Sequence, residues 1–200
     1  MQRFTEFDFG VSWVMGFFHQ DCTYEADTEA ELVAQHLPEG AAEYALAVRR
    51  DARTLLDSLP SETLEVLWTA GSQYGPSFAR TTGAEWTRTV VGVCDTWLSE
   101  QSGVRPLTGA DTEDGLTHRD TVVAEIEGMG FLTAEVRQAL VDCAHHCTPD
   151  LALRVLFKVA VDTPGASLSE DQYKRLETIG SALHYGEFLV EDVKFLVADD

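Results

Sequence analysis

Apolar residues recur at helical spacing along most of this chain. Between residues 45 and 59 they lie three and four positions apart, and Pro60 follows them. This spacing predicts a long helix with one buried face that ends at the proline. The apolar positions of this helix are Ala45, Val48, Ala52, Leu55, Leu56 and Leu59.

Three pairs of polar residues mark helix starts. Thr28 with Glu31, Thr82 with Glu85 and Ser169 with Gln172 each have capping-box spacing, in which two side chains satisfy free backbone N–H groups at a helix N-terminus. No stretch alternates convincingly between apolar and polar residues, so the sequence predicts an all-α protein, a helical bundle of two packed lobes. Helices are expected over residues 4–18, 28–37, 45–59, 61–68, 82–97, 117–127, 133–147, 149–161, 169–185 and 187–198.

The composition changes between residues 100 and 115. Gly103, Pro106, Gly109 and Gly115 interrupt this stretch, and residues 111–114 are mostly acidic. Glycine and proline at this frequency, followed by acidic residues, are typical of a linker. We therefore expect a first helical domain over residues 1–100, a linker over 101–115 and a second helical domain over 116–200.

The chain is strongly acidic. It has 34 Asp and Glu against 14 Lys and Arg, a formal net charge of −20. This field disfavours binding to nucleic acid or anionic membranes and attracts basic proteins. Two interpretations remain open: the acidity serves a basic partner, or it reflects solubility or adaptation to salt, which the presence of only three lysines also fits.

The sequence offers no membrane or secretion signal. No apolar run approaches the length of a membrane span, and Glu6 and Asp8 stand where a signal peptide would carry basic residues. We expect a cytoplasmic protein.

The motifs of enzymes and cofactor sites are not found in the sequence. Cys143, His145, His146 and Cys147 suggest zinc, but one helical turn lacks the ligands for a closed tetrahedral site, so buried thiols are the favoured interpretation. No phosphate-binding loop, nucleophile elbow or paired-carboxylate arrangement stands out. We expect no enzyme activity, no cofactor and no metal.

The first half of the chain carries a recognisable order of segments. Phe18, His19, Gln20 and Asp21 precede an acidic stretch at residues 24–31; a long leucine-rich helix, a turn with Tyr74 and Pro76, and a helix over residues 86–98 follow. Over about residues 11–98 this order resembles the small helical immunity proteins of bacterial contact-dependent growth-inhibition systems.

The resemblance implies a bacterial, non-catalytic protein that binds and neutralises a cognate toxin domain, often a nuclease with a basic cleft. Toxin-binding candidates are Asp21, Glu25, Asp27, Glu29, Glu31 and Tyr74. The alternatives are structural. Phe18–Asp21 can serve to end the first helix, with Asp21 buried, and the acids can stabilise a helix N-terminus.

Two further questions stay open in the sequence. Trp68, Tyr74, Phe78 and Trp86 can form either a core or a binding rim. The second half, which matches no known pattern, leaves the alternative of a helical adaptor, regulatory protein or enzyme whose second lobe carries the function.

Overall fold

A computed structural model describes residues 2–198. These residues contain eleven α-helices and no strand, with one isolated parallel bridge between Leu168 and Val197. The all-α fold class predicted from the sequence is confirmed. The chain divides into two compact units, which we call the continuous unit, Phe9–Leu107, and the discontinuous unit, Met1–Asp8 with Thr108–Asp200.

The continuous unit contains six helices. Its helix α4 packs against α1 and most extensively against α6. Arg49 and Arg53 on α4 both pair with Asp95 on α6, at 3.1 and 3.0 Å, beside the buried contact. The helices are α1 (Gly10–Met15), α2 (Cys22–Glu25), α3 (Glu29–His36), α4 (Ala42–Ser58), α5 (Ser61–Gly71) and α6 (Gly83–Ser99), with a 3₁₀ turn at Leu37–Glu39.

The discontinuous unit is built around helix α9. Eleven of its fourteen residues are buried, as expected for a helix surrounded by protein. It contacts α7 and α8. The helices are α7 (Arg119–Gly128), α8 (Ala134–His146), α9 (Pro149–Asp162), α10 (Glu170–Ala182) and α11 (Glu187–Glu191), with 3₁₀ turns at Gly109–Thr112, Leu116–His118 and Lys194–Leu196.

The three predicted capping boxes form. The hydroxyl groups of Thr28, Thr82 and Ser169 each accept a hydrogen bond from the backbone N–H three residues later, at 3.1–3.2 Å. The side chains at those third positions reciprocate by accepting the N–H of the cap residue. Local sequence therefore fixes the starts of α3, α6 and α10.

The N-terminal segment departs from the predicted helix over residues 4–18. Only Gly10–Met15 is α-helical, and the preceding residues bond to distant parts of the chain. The N–H of Phe4 donates to Asp111 Oδ1 at 2.7 Å, and the carbonyl of Glu6 accepts the N–H of Phe188 at 3.1 Å. These long-range hydrogen bonds take backbone groups that a helix would have used.

Arg3 anchors this segment inside the discontinuous unit. Its buried guanidinium lies 2.9 Å from Asp150 Oδ1 and also donates to the carbonyl oxygens of Leu183 and Glu113. The other Asp150 oxygen accepts from Arg154 at 2.8 Å. Residues 1–8 therefore belong with residues 108–200, whereas the sequence placed them in a first domain ending at residue 100.

The predicted linker is ordered in its second half. The boundary between the units falls between Leu107 and Thr108, and the residues after it form part of the discontinuous unit. The carbonyl of Asp114, for example, accepts the N–H of Asp150 at 3.0 Å.

Among residues 2–198, none of the helices combines the length and apolarity needed to cross a bilayer.

Candidate functional site

The Phe-His-Gln-Asp segment joins α1 to α2 and is only partly buried. Phe18 packs edge-on against Trp86 with ring centroids 5.9 Å apart. His19 Nδ1 accepts the N–H of Asp21 at 3.3 Å, which holds the turn. Gln20 and Asp21 are exposed, and the Asp21 side chain makes no capping bond to α2. The structural alternative of a buried Asp21 is therefore wrong.

A groove opens beside this segment, between α2, the start of α3 and the turn that carries Tyr74. Its volume is about 380 Å³. Leu32 and Cys22 are buried side chains in its lining, and Asp27 and Glu29 supply its carboxylates. We call it the acidic groove; it is lined by Phe18, Cys22, Thr23, Ala26, Asp27, Thr28, Glu29, Leu32, Tyr74 and Arg80.

The carboxylates predicted to bind a toxin differ in whether they already bond to other groups of this protein. Glu25 lies between two imidazoles, 3.4 Å from His19 Nε2 and 3.2 Å from His36 Nε2. The Glu31 side chain accepts the backbone N–H of Thr28 in the capping box. These two carboxylates stabilise the local fold.

The carboxylates of Asp27 and Glu29 are different, because neither makes a hydrogen bond or ion pair with any residue in the described range 2–198. Both line the acidic groove. Their negative charge is therefore available to a partner.

Tyr74 forms the aromatic edge of the groove. Its side chain is 50% exposed, while its backbone N–H donates to the carbonyl of Phe18 at 3.2 Å. Trp68 and Trp86, by contrast, are buried and pack edge-on at 5.7 Å. Of the aromatic residues near this turn, the tryptophans belong to the core and Tyr74 is presented to solvent.

The chain around the groove is unusually free of positive charge. Residues 4–48 include nine Asp and Glu and no Lys or Arg. Arg49, Arg50 and Arg53 follow directly, but each pairs with an aspartate. Arg80 is the basic side chain that lines the groove, a feature that its isolated position in the sequence did not indicate.

The acids of the predicted linker accept hydrogen bonds from nearby and distant backbone N–H groups. Asp111 accepts the N–H of Phe4, Glu113 that of Gly115 at 2.9 Å, and Asp114 that of Leu116 at 3.0 Å. These carboxylates hold the backbone of the discontinuous unit.

All four cysteines are buried, and each is present as a thiol. Cys143 and Cys147 face the core, whereas His145 and His146 are exposed. Within residues 2–198, no three His, Cys, Asp or Glu side chains come together as metal ligands would. Burial raises the pKa of Cys94 to about 12, with a further contribution from Asp95; burial and then the charge of Glu25 raise the pKa of Cys22.

These shifts predict slow thiol chemistry in the native protein. At pH 8 a thiol of pKa 12 is ionised to only about 1 part in 10⁴, and the thiolate is the reactive form. We expect an aromatic disulfide reagent to modify Cys94 only after denaturation. An added surface thiol, Ser102→Cys, provides the control that reacts at the ordinary rate; equally rapid native modification of Cys94 would contradict the prediction.

The groove thus combines buried apolar side chains, an exposed tyrosine and carboxylates that can attract positive charge. The comparison with protein families adds an independent observation on the same segment. Residues 12–92 match the family described as CdiI immunity protein, which confirms the resemblance predicted from the sequence. No curated protein and no solved structure matches the chain.

The family match lies within the continuous unit. It covers 81 of the 200 residues and includes every residue that lines the acidic groove. Over this segment the chain is similar to immunity proteins of contact-dependent inhibition; the match does not reach the discontinuous unit.

Proposed function

We propose that this chain is an immunity protein that binds and neutralises a cognate toxin domain through the acidic groove. The observation that carries the proposal is the coincidence of two features in one segment. Residues 12–92 match the CdiI immunity protein family, and the same residues form a groove with two unpaired carboxylates. The protein performs no chemistry in this role.

The chemistry of the groove favours a cationic partner. A lysine or arginine side chain can enter between the carboxylates of Asp27 and Glu29, with its aliphatic part against Phe18 and Leu32. Tyr74 supplies a rigid aromatic contact at the edge, the type of residue that contributes most to protein interfaces.

A nuclease is the toxin class that best fits this surface, because its substrate cleft must carry positive charge to hold phosphates. The acidic groove then competes with nucleic acid for the same basic groups. The bound immunity protein also excludes the substrate sterically. The complex forms in the cytoplasm, where such a toxin meets its substrate.

The net charge accelerates this encounter. A field of −20 attracts a basic protein over several ångströms and raises the association rate in a salt-dependent way. Contacts desolvated in the groove determine the dissociation rate.

We expect charge reversal in the groove to weaken binding. The Asp27→Lys, Glu29→Lys double variant should lower the association rate for the toxin domain encoded beside this chain by about tenfold at low salt, and weaken its dependence on salt. Surface plasmon resonance at several salt concentrations measures both quantities, and an activity assay of the toxin measures neutralisation.

A matched control distinguishes the effect of the acidic groove on binding from the effect of the overall net charge. Asp57→Lys, Glu62→Lys also changes the net charge from −20 to −16, at two exposed acids of the same unit outside the groove. Glu62 lies in the first turn of α5 as Glu29 lies in the first turn of α3, so the costs at a helix end are similar. Equal losses in the two variants would show that the groove is not the binding site, and no binding by the natural chain would overturn the proposed function.

A further inference from the structure

The discontinuous unit exposes a stacked aromatic pair. The rings of Phe7 and Phe188 lie 5.0 Å apart and nearly parallel, at an interplanar angle of 14°. Phe7 is 58% exposed and Phe188 36%. Neighbouring exposed apolar side chains offer a partner apolar area to cover.

The backbone fixes this pair in place. The N–H of Phe188 donates to the carbonyl of Glu6 at 3.1 Å, and the N–H of Phe7 donates to Thr5 Oγ1 at the same distance. Gly186 lies so close to the segment that a Cβ there would fall 2.2 Å from the Cα of Glu6. Because these contacts already restrain the two phenylalanines, little conformational entropy is lost when a partner binds their rings.

A different groove, lined by glutamates, adjoins the aromatic pair. Three glutamates and no basic residue contribute to its lining, and its volume is about 250 Å³. Glu187 and Glu191 stand on α11 on either side of Phe188 in the sequence, so the groove and the aromatic pair share that helix. The groove is lined by Tyr173, Glu177, Gly180, Ser181, Tyr185, Gly186, Glu187, Val190 and Glu191.

The glutamates give this groove a negative charge. Burial, followed by the charges of Glu177 and Glu191, raises the pKa of Tyr173. The carboxylates of Glu187 and Glu191 make no hydrogen bond or ion pair with the part of the chain that the structure describes, residues 2–198. The groove therefore presents carboxylates that can accept a lysine or arginine.

We infer that the Phe7–Phe188 pair and the adjoining groove form a second docking surface for the toxin. The occupant is a basic segment of that protein, with an apolar side chain against the two rings and a lysine or arginine among Glu177, Glu187 and Glu191. This inference rests on the proposed function, and it assigns a role to residues outside the family match.

Two variants test the surface against the isolated toxin domain. Phe7→Ser, Phe188→Ser removes the aromatic anchors and is expected to raise the Kd by about 10- to 30-fold, as for interface hot spots. Glu187→Lys, Glu191→Lys leaves the rings unchanged and is expected to raise the Kd with a weaker salt dependence. Isothermal titration calorimetry at two salt concentrations measures both effects, and circular dichroism verifies the fold of each variant.

The control is Phe195→Ser, since Phe195 is 68% exposed in the same unit and lies outside the pair and its groove. Its Kd should equal that of the natural chain. If Glu187→Lys, Glu191→Lys binds as tightly as the natural chain while Asp27→Lys, Glu29→Lys is impaired, the second surface is refuted and the proposed function stands. If the natural chain itself fails to bind, both are refuted.

Discussion

Asp150→Ala is expected to destabilise the discontinuous unit by about 3–5 kcal/mol. Asp150 is the carboxylate shared by the two buried guanidinium groups of Arg3 and Arg154, at 2.9 and 2.8 Å. The side chains of both arginines are fully buried. Without Asp150 they would remain as positive charges inside the protein without this counter-ion, which is far costlier than loss of an exposed pair.

Chemical denaturation provides the measurement. Circular dichroism follows helices of both units, whereas tryptophan fluorescence reports on the continuous unit, because Trp13, Trp68, Trp86 and Trp97 all lie there. Hydrogen exchange in α9 locates the loss. We expect Asp150→Ala to lower the urea midpoint of the circular-dichroism transition and the protection of α9.

The matched control is Glu170→Ala. Glu170 pairs with Lys174 at the same four-residue spacing as Asp150 with Arg154, but both side chains are largely exposed. Exposed pairs contribute little to stability, so this variant should unfold with the natural chain. An Asp150→Ala protein as stable as the Glu170→Ala protein would contradict the account of the buried ion cluster.

Trp68→Ala is expected to destabilise the continuous unit by about 3–5 kcal/mol, the usual cost of emptying a buried aromatic site. Trp68 is fully buried and its Nε1 donates to Thr87 Oγ1 at 2.9 Å. Its ring also packs edge-on against Trp86, which in turn contacts Phe18 in the lining of the acidic groove. Loss of Trp68 should therefore weaken toxin binding as well as stability.

Two further substitutions serve as comparisons for Trp68→Ala. Trp68→Phe retains most of the apolar volume and loses the indole hydrogen bond, so about 1–3 kcal/mol is expected. Trp97→Ala removes a tryptophan that is only half-buried, and the loss should be smaller than for Trp68→Ala. The tryptophans left in each variant report the urea transition by fluorescence. Equal losses at positions 68 and 97 would show that Trp68 does not organise this core.

The local rules of helix formation were predictable from the sequence. The boxes at Thr28, Thr82 and Ser169 lie where their spacing predicted them, because the groups that satisfy each other are three residues apart. Residues 4–9 show where such rules fail. Their apolar pattern favours helix, yet Phe4 and Glu6 bond to partners more than 100 residues away, and no local signal reveals those bonds.

The candidate site was predictable in part for the same reason. The sequence marked Asp27, Glu29 and Tyr74 as candidates, together with Asp21, Glu25 and Glu31. Only the structure distinguishes the unpaired carboxylates from Glu25, whose neighbours include His36 on the next helix. The position of Arg80 in the groove depends in the same way on the folded path of the turn before α6.

The sequence by itself determined the helical class, the sites of the capping boxes, the −20 charge and the resemblance to immunity proteins, because each depends on composition or on residues close together in the chain. The tertiary structure decided which of the candidate carboxylates already have a bonding partner within the described residues. It also decided that residues 1–8 join residues 108–200. Both outcomes depend on bonds between distant residues, whose formation is decided by the packing of the whole unit.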